Sequence, residues 1–204
     1  MPILENIKRT TEWITGWKRP SRRELEDLVR PRKAHTFRFE DDGVIPNNRD
    51  LPVVLYRSPL RLSGEFDPAA VFEDLFERNG WVDSWRNGIY DYVHYHSRIH
   101  EVLGIARGHG RVQLGGPHGR TLKLQAGHVA ILPAGTGHQC LGASKDFLVV
   151  GAYPPSGKYD ECTTKEHDRA VVTIPKVARP RKDPVYGAEG PLVRLWRKRA
   201  GRGP

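Results

Sequence analysis

The chain has 204 residues, 38% of them hydrophobic, which is enough to bury one sizeable core and predicts a single domain. No run approaches the roughly 18 to 20 apolar residues of a membrane span, no apolar stretch follows the N-terminus as a secretory signal would, and two cysteines, Cys140 and Cys162, are too few for a disulfide framework. The net charge of +9 belongs to the ends: residues 1–33 carry nine Lys/Arg against five acids and 165–204 carry eleven against four, which leaves the stretch between at −2, so a cytoplasmic protein with solvated basic tails and no specific nucleic-acid partner is expected.

Ile3, Ile7, Ile14 and Trp17 stand at roughly helical spacing and predict a docking helix within 3–17. Ser21 followed by Glu24 is a capping-box pattern ahead of Leu25 and Leu28, and it predicts a second short helix that Pro31 stops. Strand signals follow over 36–40 and 53–57, with the Pro46-Asn-Asn turn between them. Asp67 as cap, Pro68 at the first helical position, a stripe of Phe72, Leu75 and Phe76, and Gly80 as terminator predict a helix around 68–79. From Tyr90 onward the chain breaks into short runs split by glycine turns, which predict strands at 90–96, 102–106, 111–114, 121–124, 129–132 and 147–152. These elements describe a mainly β, single-domain antiparallel β-barrel or jelly roll, wide enough inside for one small ligand. After Pro154-Pro155 the alternation is lost, and 183–192 reads as a turn-rich segment wrapping the barrel. The expected organisation is a basic N-terminal extension over 1–33, a barrel domain with its wrapping segment over 34–193, and an Arg-rich tail over 194–204.

Two segments carry the chemistry. The first runs Gly88, His94, His96, Glu101, Gly108; the second runs Gly127, Pro133, Gly135, His138. Residues two apart on a strand share a face, so His94 and His96 can point at one centre. With Glu101 and His138 they offer three imidazoles and a carboxylate to a single divalent ion, a donor set that suits Fe, Mn, Ni, Zn or Co. His100 competes with Glu101 for the fourth place, but Leu103 and Ile105 share the parity of Glu101 and are expected inside, so parity selects Glu101. By the same parity Tyr90 and Tyr92 fall on the face of the histidines and are candidate acid/base or orienting hydroxyls, and Cys140 shares the parity of His138. Trp85, Arg86 and Arg98 are candidate substrate-binding residues at the mouth, where a guanidinium would suit a carboxylate or phosphate.

The two blocks resemble the two-part motif of the cupins, with Gly142 where that motif often has Asn. The runs Pro46-Asn-Asn, Arg78-Asn-Gly-Trp, Ser84-Trp-Arg-Asn-Gly-Ile-Tyr-Asp-Tyr92, His100-Glu-Val-Leu-Gly104, Leu132-Pro-Ala-Gly-Thr-Gly-His138, Phe147-Leu-Val-Val-Gly-Ala-Tyr-Pro-Pro155 and Asp183-Pro-Val-Tyr-Gly are similar to the YjlB-type cupins over about residues 36–195. The resemblance implies a cupin barrel with one divalent metal and names no substrate. Four protein ligands on an octahedral ion leave two positions open, and open positions point to a metal-dependent enzyme, an oxygenase or an isomerase/lyase, on a small polar metabolite. A non-enzymatic metabolite-binding or sensor cupin is the second reading, and a structural metal in a scaffold or stress protein the third. The open sheet edges of such a barrel predict a homodimer.

Overall fold

The computed structural model describes residues 18–62 and 64–197. The helix expected within 3–17 and the end of the Arg-rich tail lie outside the described residues. In chain order the elements are α1 (Arg22–Leu28), β1 (Ala34–Phe37), β2 (Val53–Tyr56), α2 (Pro68–Arg78), β3 (Val82–Asn87), β4 (Glu101–Arg107), β5 (His109–Leu114), β6 (Arg120–Gln125), β7 (Val129–Leu132), β8 (His138–Ala143), β9 (Leu148–Tyr153), α3 (His167–Thr173) and α4 (Pro191–Leu195). Among the described residues no helix is long and apolar enough to cross a membrane.

The helix ends follow from local chemistry. Ser21 Oγ accepts from the Glu24 N–H while the Glu24 carboxylate accepts from the Ser21 N–H at 2.7 Å, so the predicted capping box is formed at α1. Asp67 accepts from the Ala69 N–H at 3.1 Å, Pro68 occupies the first turn of α2, and Gly80 takes φ +78° just past its end.

The strands form two antiparallel sheets, one in the order β1-β2-β7-β4-β9-β3 and the other β6-β5-β8. The two sheets enclose a core of Val53, Leu55, Leu103, Ile105, Val112, Leu114, Leu124, Ala130, Leu132 and Val149. The outer face of the larger sheet is buried as well: Val54, Tyr56, Val102, Val129, Ile131, Val150 and Ala152 pack with Leu25 and Leu28 of α1, Phe72, Leu75 and Phe76 of α2, and Val185, Leu192 and Trp196 from the end of the chain. Odd and even residues of the central strands therefore enter different cores, which is why β2 and β7 read as unbroken apolar runs. The molecule is a jelly roll with helices and a C-terminal strap on one side.

Two expectations about the strands are corrected. Residues 90–96 are not a ladder strand. His94 exchanges backbone hydrogen bonds with His138 and the adjacent Tyr95 exchanges them with Cys162, so neighbouring residues pair with different segments. Strands β3 and β8 were not anticipated, because Val82–Asn87 is mostly exposed and polar and β8 is interrupted by a register shift opposite Arg111 and Val112. Leu25, Leu28 and Trp196 are buried, and the Trp196 indole N–H donates to the Pro52 carbonyl at 2.9 Å. The segment expected to wrap the barrel does so through Asp183, fully buried, which accepts from Tyr56 Oη at 2.6 Å and from the N–H groups of Val185, Tyr186 and Leu192.

Candidate metal centre

His94 and His96 stand on the segment leading into β4, Glu101 opens β4, and His138 opens β8. The loop 133–137 that delivers His138 is held on every side. The Ala134 carbonyl accepts from Asn48 Nδ2 at 2.9 Å, the Ala134 N–H donates to His100 Nδ1 at 2.9 Å, the Gly135 N–H donates to the His96 carbonyl at 2.7 Å, and the Gly137 N–H donates to Asn47 Oδ1 at 3.3 Å. Gly135 is required here, with φ +92° and the Asn47 carbonyl 2.5 Å from where a Cβ would stand. The predicted Pro46-Asn-Asn turn is thus a buried brace of the site rather than a surface turn, and His100 is part of the same brace. Its ring faces away from the cluster and packs on Trp196 with centroids 4.8 Å apart.

The side chains of His94, His96, Glu101 and His138 are all buried. The ligand atoms of the three histidines lie within 4.8 Å of one another, a cluster that could hold a metal ion. Each ring is oriented by a main-chain carbonyl: Nδ1 of His94 faces the Tyr92 carbonyl at 3.2 Å, Nδ1 of His138 the Thr136 carbonyl at 3.0 Å, and Nδ1 of His96 the Asp160 carbonyl. A carbonyl only accepts, so these Nδ1 atoms carry protons and Nε2 is left as the ligating nitrogen. Glu101 Oε2 lies 3.4 Å from Nε2 of both His96 and His138, too far for a strong hydrogen bond, and it has no hydrogen-bond partner although fully enclosed. Burial opposes charge on Glu101, but the neighbouring His96 and His138 hold its carboxyl below the usual carboxylate range. Burial also opposes charge on His96, yet the Glu101 carboxylate lifts that ring to about 9. Burial, then the neighbouring His138, pushes His94 down to about 3. A buried carboxylate oxygen without a hydrogen-bond partner, facing imidazoles turned by backbone carbonyls, is the donor arrangement that fits a divalent cation.

These four residues line a cavity of about 770 Å³. Trp85, Ile89, Ile99 and Leu103 give it apolar walls, and Tyr153, Lys158 and Tyr159 bring polar atoms to it. Of the other residues singled out in the sequence, Tyr90 and Trp85 line the cavity. Tyr92 stacks on Tyr90 at 4.9 Å and donates its hydroxyl to Glu161 at 2.8 Å, outside the lining, because strand parity does not run back through a segment that is not a strand. Arg86 lines the cavity with its guanidinium committed to Glu73 at 2.7 Å and Asp67 at 2.8 Å. Arg98 lies outside the lining, exposed, with its backbone N–H on Asp160 Oδ1 at 3.1 Å. Cys140 and Cys162 are free. Sequence reasoning passed over Tyr153 and Asp160. Tyr153 was within reach, because Val149, Gly151 and Tyr153 share a parity that enters the interior. Asp160 sits on an irregular strap where no pattern marks it, although its carboxylate accepts from Ser97 N, Ser97 Oγ and Arg98 N and so ties the strap to the segment carrying His96.

A jelly roll of two antiparallel sheets, with three buried histidines and a carboxylate lining its cavity, has the fold of a cupin. The chain is 40% identical over 169 residues to the uncharacterized protein YjlB of Bacillus subtilis strain 168, a match covering 82% of this chain and 99% of that one, and it belongs to the YjlB family. No family model matches the chain. Among solved structures it is similar to a double-stranded β-helix protein of Klebsiella pneumoniae, at 16% identity over 68% of this chain and 92% of the other with a TM-score of 0.32. It is also similar to the oxalate decarboxylase of Bacillus subtilis, at 20% identity over 57% and 28% with a TM-score of 0.34, and to a cadmium-bound acireductone dioxygenase of Bacillus anthracis, at 18% identity over 59% and 76% with a TM-score of 0.31.

Proposed function

We propose that the chain is a metal-dependent enzyme of the oxygenase or isomerase/lyase class, acting on a small polar metabolite that chelates a divalent ion held by His94, His96, Glu101 and His138. The observation that carries this reading is the orphaned Glu101 Oε2, 3.4 Å from two Nε2 atoms whose rings are aimed by backbone carbonyls. Bound there, the ion would supply Lewis-acid polarisation of a substrate oxygen or, as Fe(II), a site for dioxygen. The chain's own part is to bind and orient. The apolar walls exclude water from one side of the ligand, and Lys158 at the lining offers a cation to an anionic group. A cavity of about 770 Å³ that reaches the four residues favours an exchangeable, working site over a purely structural metal, whose shell would be plugged by side chains.

The test is metal analysis of untagged protein followed by turnover of a panel of small carboxylate and hydroxy-ketone metabolites by the Fe(II) and Mn(II) forms. Metal-dependent consumption of one compound, with dioxygen uptake or without it, separates oxygenase from isomerase/lyase. Tight metabolite binding with no turnover by any metal form would favour the sensor reading, and absence of bound metal would sink both. We also propose that the chain assembles as a homodimer through an open sheet edge, that of β1 at the end of the larger sheet. Light scattering at micromolar concentration should give twice the 23.1 kDa monomer mass.

A further inference from the structure

Strand register places two aromatic residues where they control Glu101. On β4 and β9, Val102 pairs with Ala152 and Leu103 with Gly151, so the register continued by one residue sets Glu101 across from Tyr153, and both line the cavity. On the other side of β9, Trp85 of β3 pairs with Gly151. A Cβ on Gly151 would stand 2.1 Å from Trp85 Cε2, so the indole lies directly over the glycine and is fixed there. From that position Trp85 Nε1 donates to Tyr153 Oη at 2.8 Å. An indole N–H can only donate, so the phenol accepts at that point and must send its single O–H elsewhere. Glu101, set across from it by that register and lining the same cavity, is the carboxylate placed to receive it. Tyr153 is buried, and Tyr159 packs edge-on against it at 5.5 Å, which leaves the phenol little room to turn.

We infer that Trp85 and Tyr153 are positioning residues of the metal centre, a hydrogen-bond chain from indole to phenol to carboxylate that occupies one face of Glu101 and leaves Oε2 free to face the imidazoles. The inference rests on the metal reading above and adds to it how the carboxylate is aimed. A carboxylate with no such anchor can rotate and offer either oxygen. With the phenol in place its orientation is set before the ion arrives, which is the general means by which outer hydrogen bonds raise the affinity of a metal site.

Tyr153→Phe keeps the ring and removes the O–H; Trp85→Phe keeps the phenol and removes the group that aims it. Mn(II) titrations of the full chain, with the EPR spectrum of the bound ion, read the effect. Tyr153→Phe should weaken Mn(II) binding by about tenfold or more, the range found when an outer hydrogen bond to a ligand is lost, and should change the spectrum. Trp85→Phe should move both in the same direction by less. Tyr186→Phe, whose hydroxyl donates to the Arg30 carbonyl at 2.8 Å away from the cavity, should change neither. Wild-type affinity and spectrum in Tyr153→Phe would overturn the inference and leave Tyr153 as packing. Should that variant not fold, Trp85→Phe decides by the same two readouts. If the wild-type chain takes up no divalent ion, the metal reading itself fails and this inference falls with it.

Discussion

His138 and His100 are both buried histidines held by the loop 133–137, yet they do opposite work. His138 presents Nε2 to Glu101, whereas His100 uses Nδ1 to accept the Ala134 N–H and turns its ring to Trp196. His138→Ala should strip bound metal in elemental analysis. His100→Ala should leave metal bound but lower stability, because it orphans a buried N–H, a loss of about 1 to 3 kcal/mol that chemical denaturation would detect. Burial, then Arg57, also holds His128 below the ordinary histidine range. An unfolded histidine titrates near about 6.5, so this contribution is complete above that pH and is lost as pH falls through it, where the unfolded chain takes up a proton that the folded chain resists. Thermal melts of metal-free protein should therefore show Tm falling between about pH 7 and 5, with a shallower slope in His128→Gln.

At the scale of elements, the approach of α2 to the larger sheet depends on one missing side chain. A Cβ at Gly104 would stand 2.5 Å from Phe72 Cδ1, and Phe72 is fully buried, so its ring has nowhere to go. Gly104→Ala should cost about 1 to 3 kcal/mol by overpacking, and Phe72→Leu on that background should recover part of it; a urea series on the wild type and the two variants checks both. The helices themselves were legible, since the Ser21–Glu24 box and the Asp67-Pro68 start are interactions within a few residues of chain. The strand at 90–96 misled because its polar alternation comes from site residues, and the backbone partners that decide its structure, His138 and Cys162, are distant in sequence.

At the scale of the whole molecule, segments on both sides of the strands belong to the core. Leu25 and Leu28 pack under the larger sheet, Trp196 is buried against His100 and Pro52, and Asp183 binds the strap to Tyr56. A chain cut to 34–193 should therefore melt far below the full chain or fail to fold, since loss of a buried Trp alone costs about 3 to 5 kcal/mol. Circular dichroism melts of the two chains test this. Full retention of Tm would mean that the outer core is dispensable.

The sequence alone determined the candidate ligand set and the class of fold. His94 and His96 share a face two residues apart, Glu101 shares parity with Leu103 and Ile105, and glycines mark the turns, all of which are consequences of backbone period and local dihedral preference. Only the tertiary structure decided what surrounds those ligands: that Tyr92 reaches Glu161, that Arg86 is committed to Glu73 and Asp67, that Asn47, Asn48 and His100 brace the loop of His138, and that Tyr153 stands across from Glu101. Those facts depend on which strands become neighbours and in what register, and register is fixed by burial on two faces of a sheet whose strands are far apart in the chain.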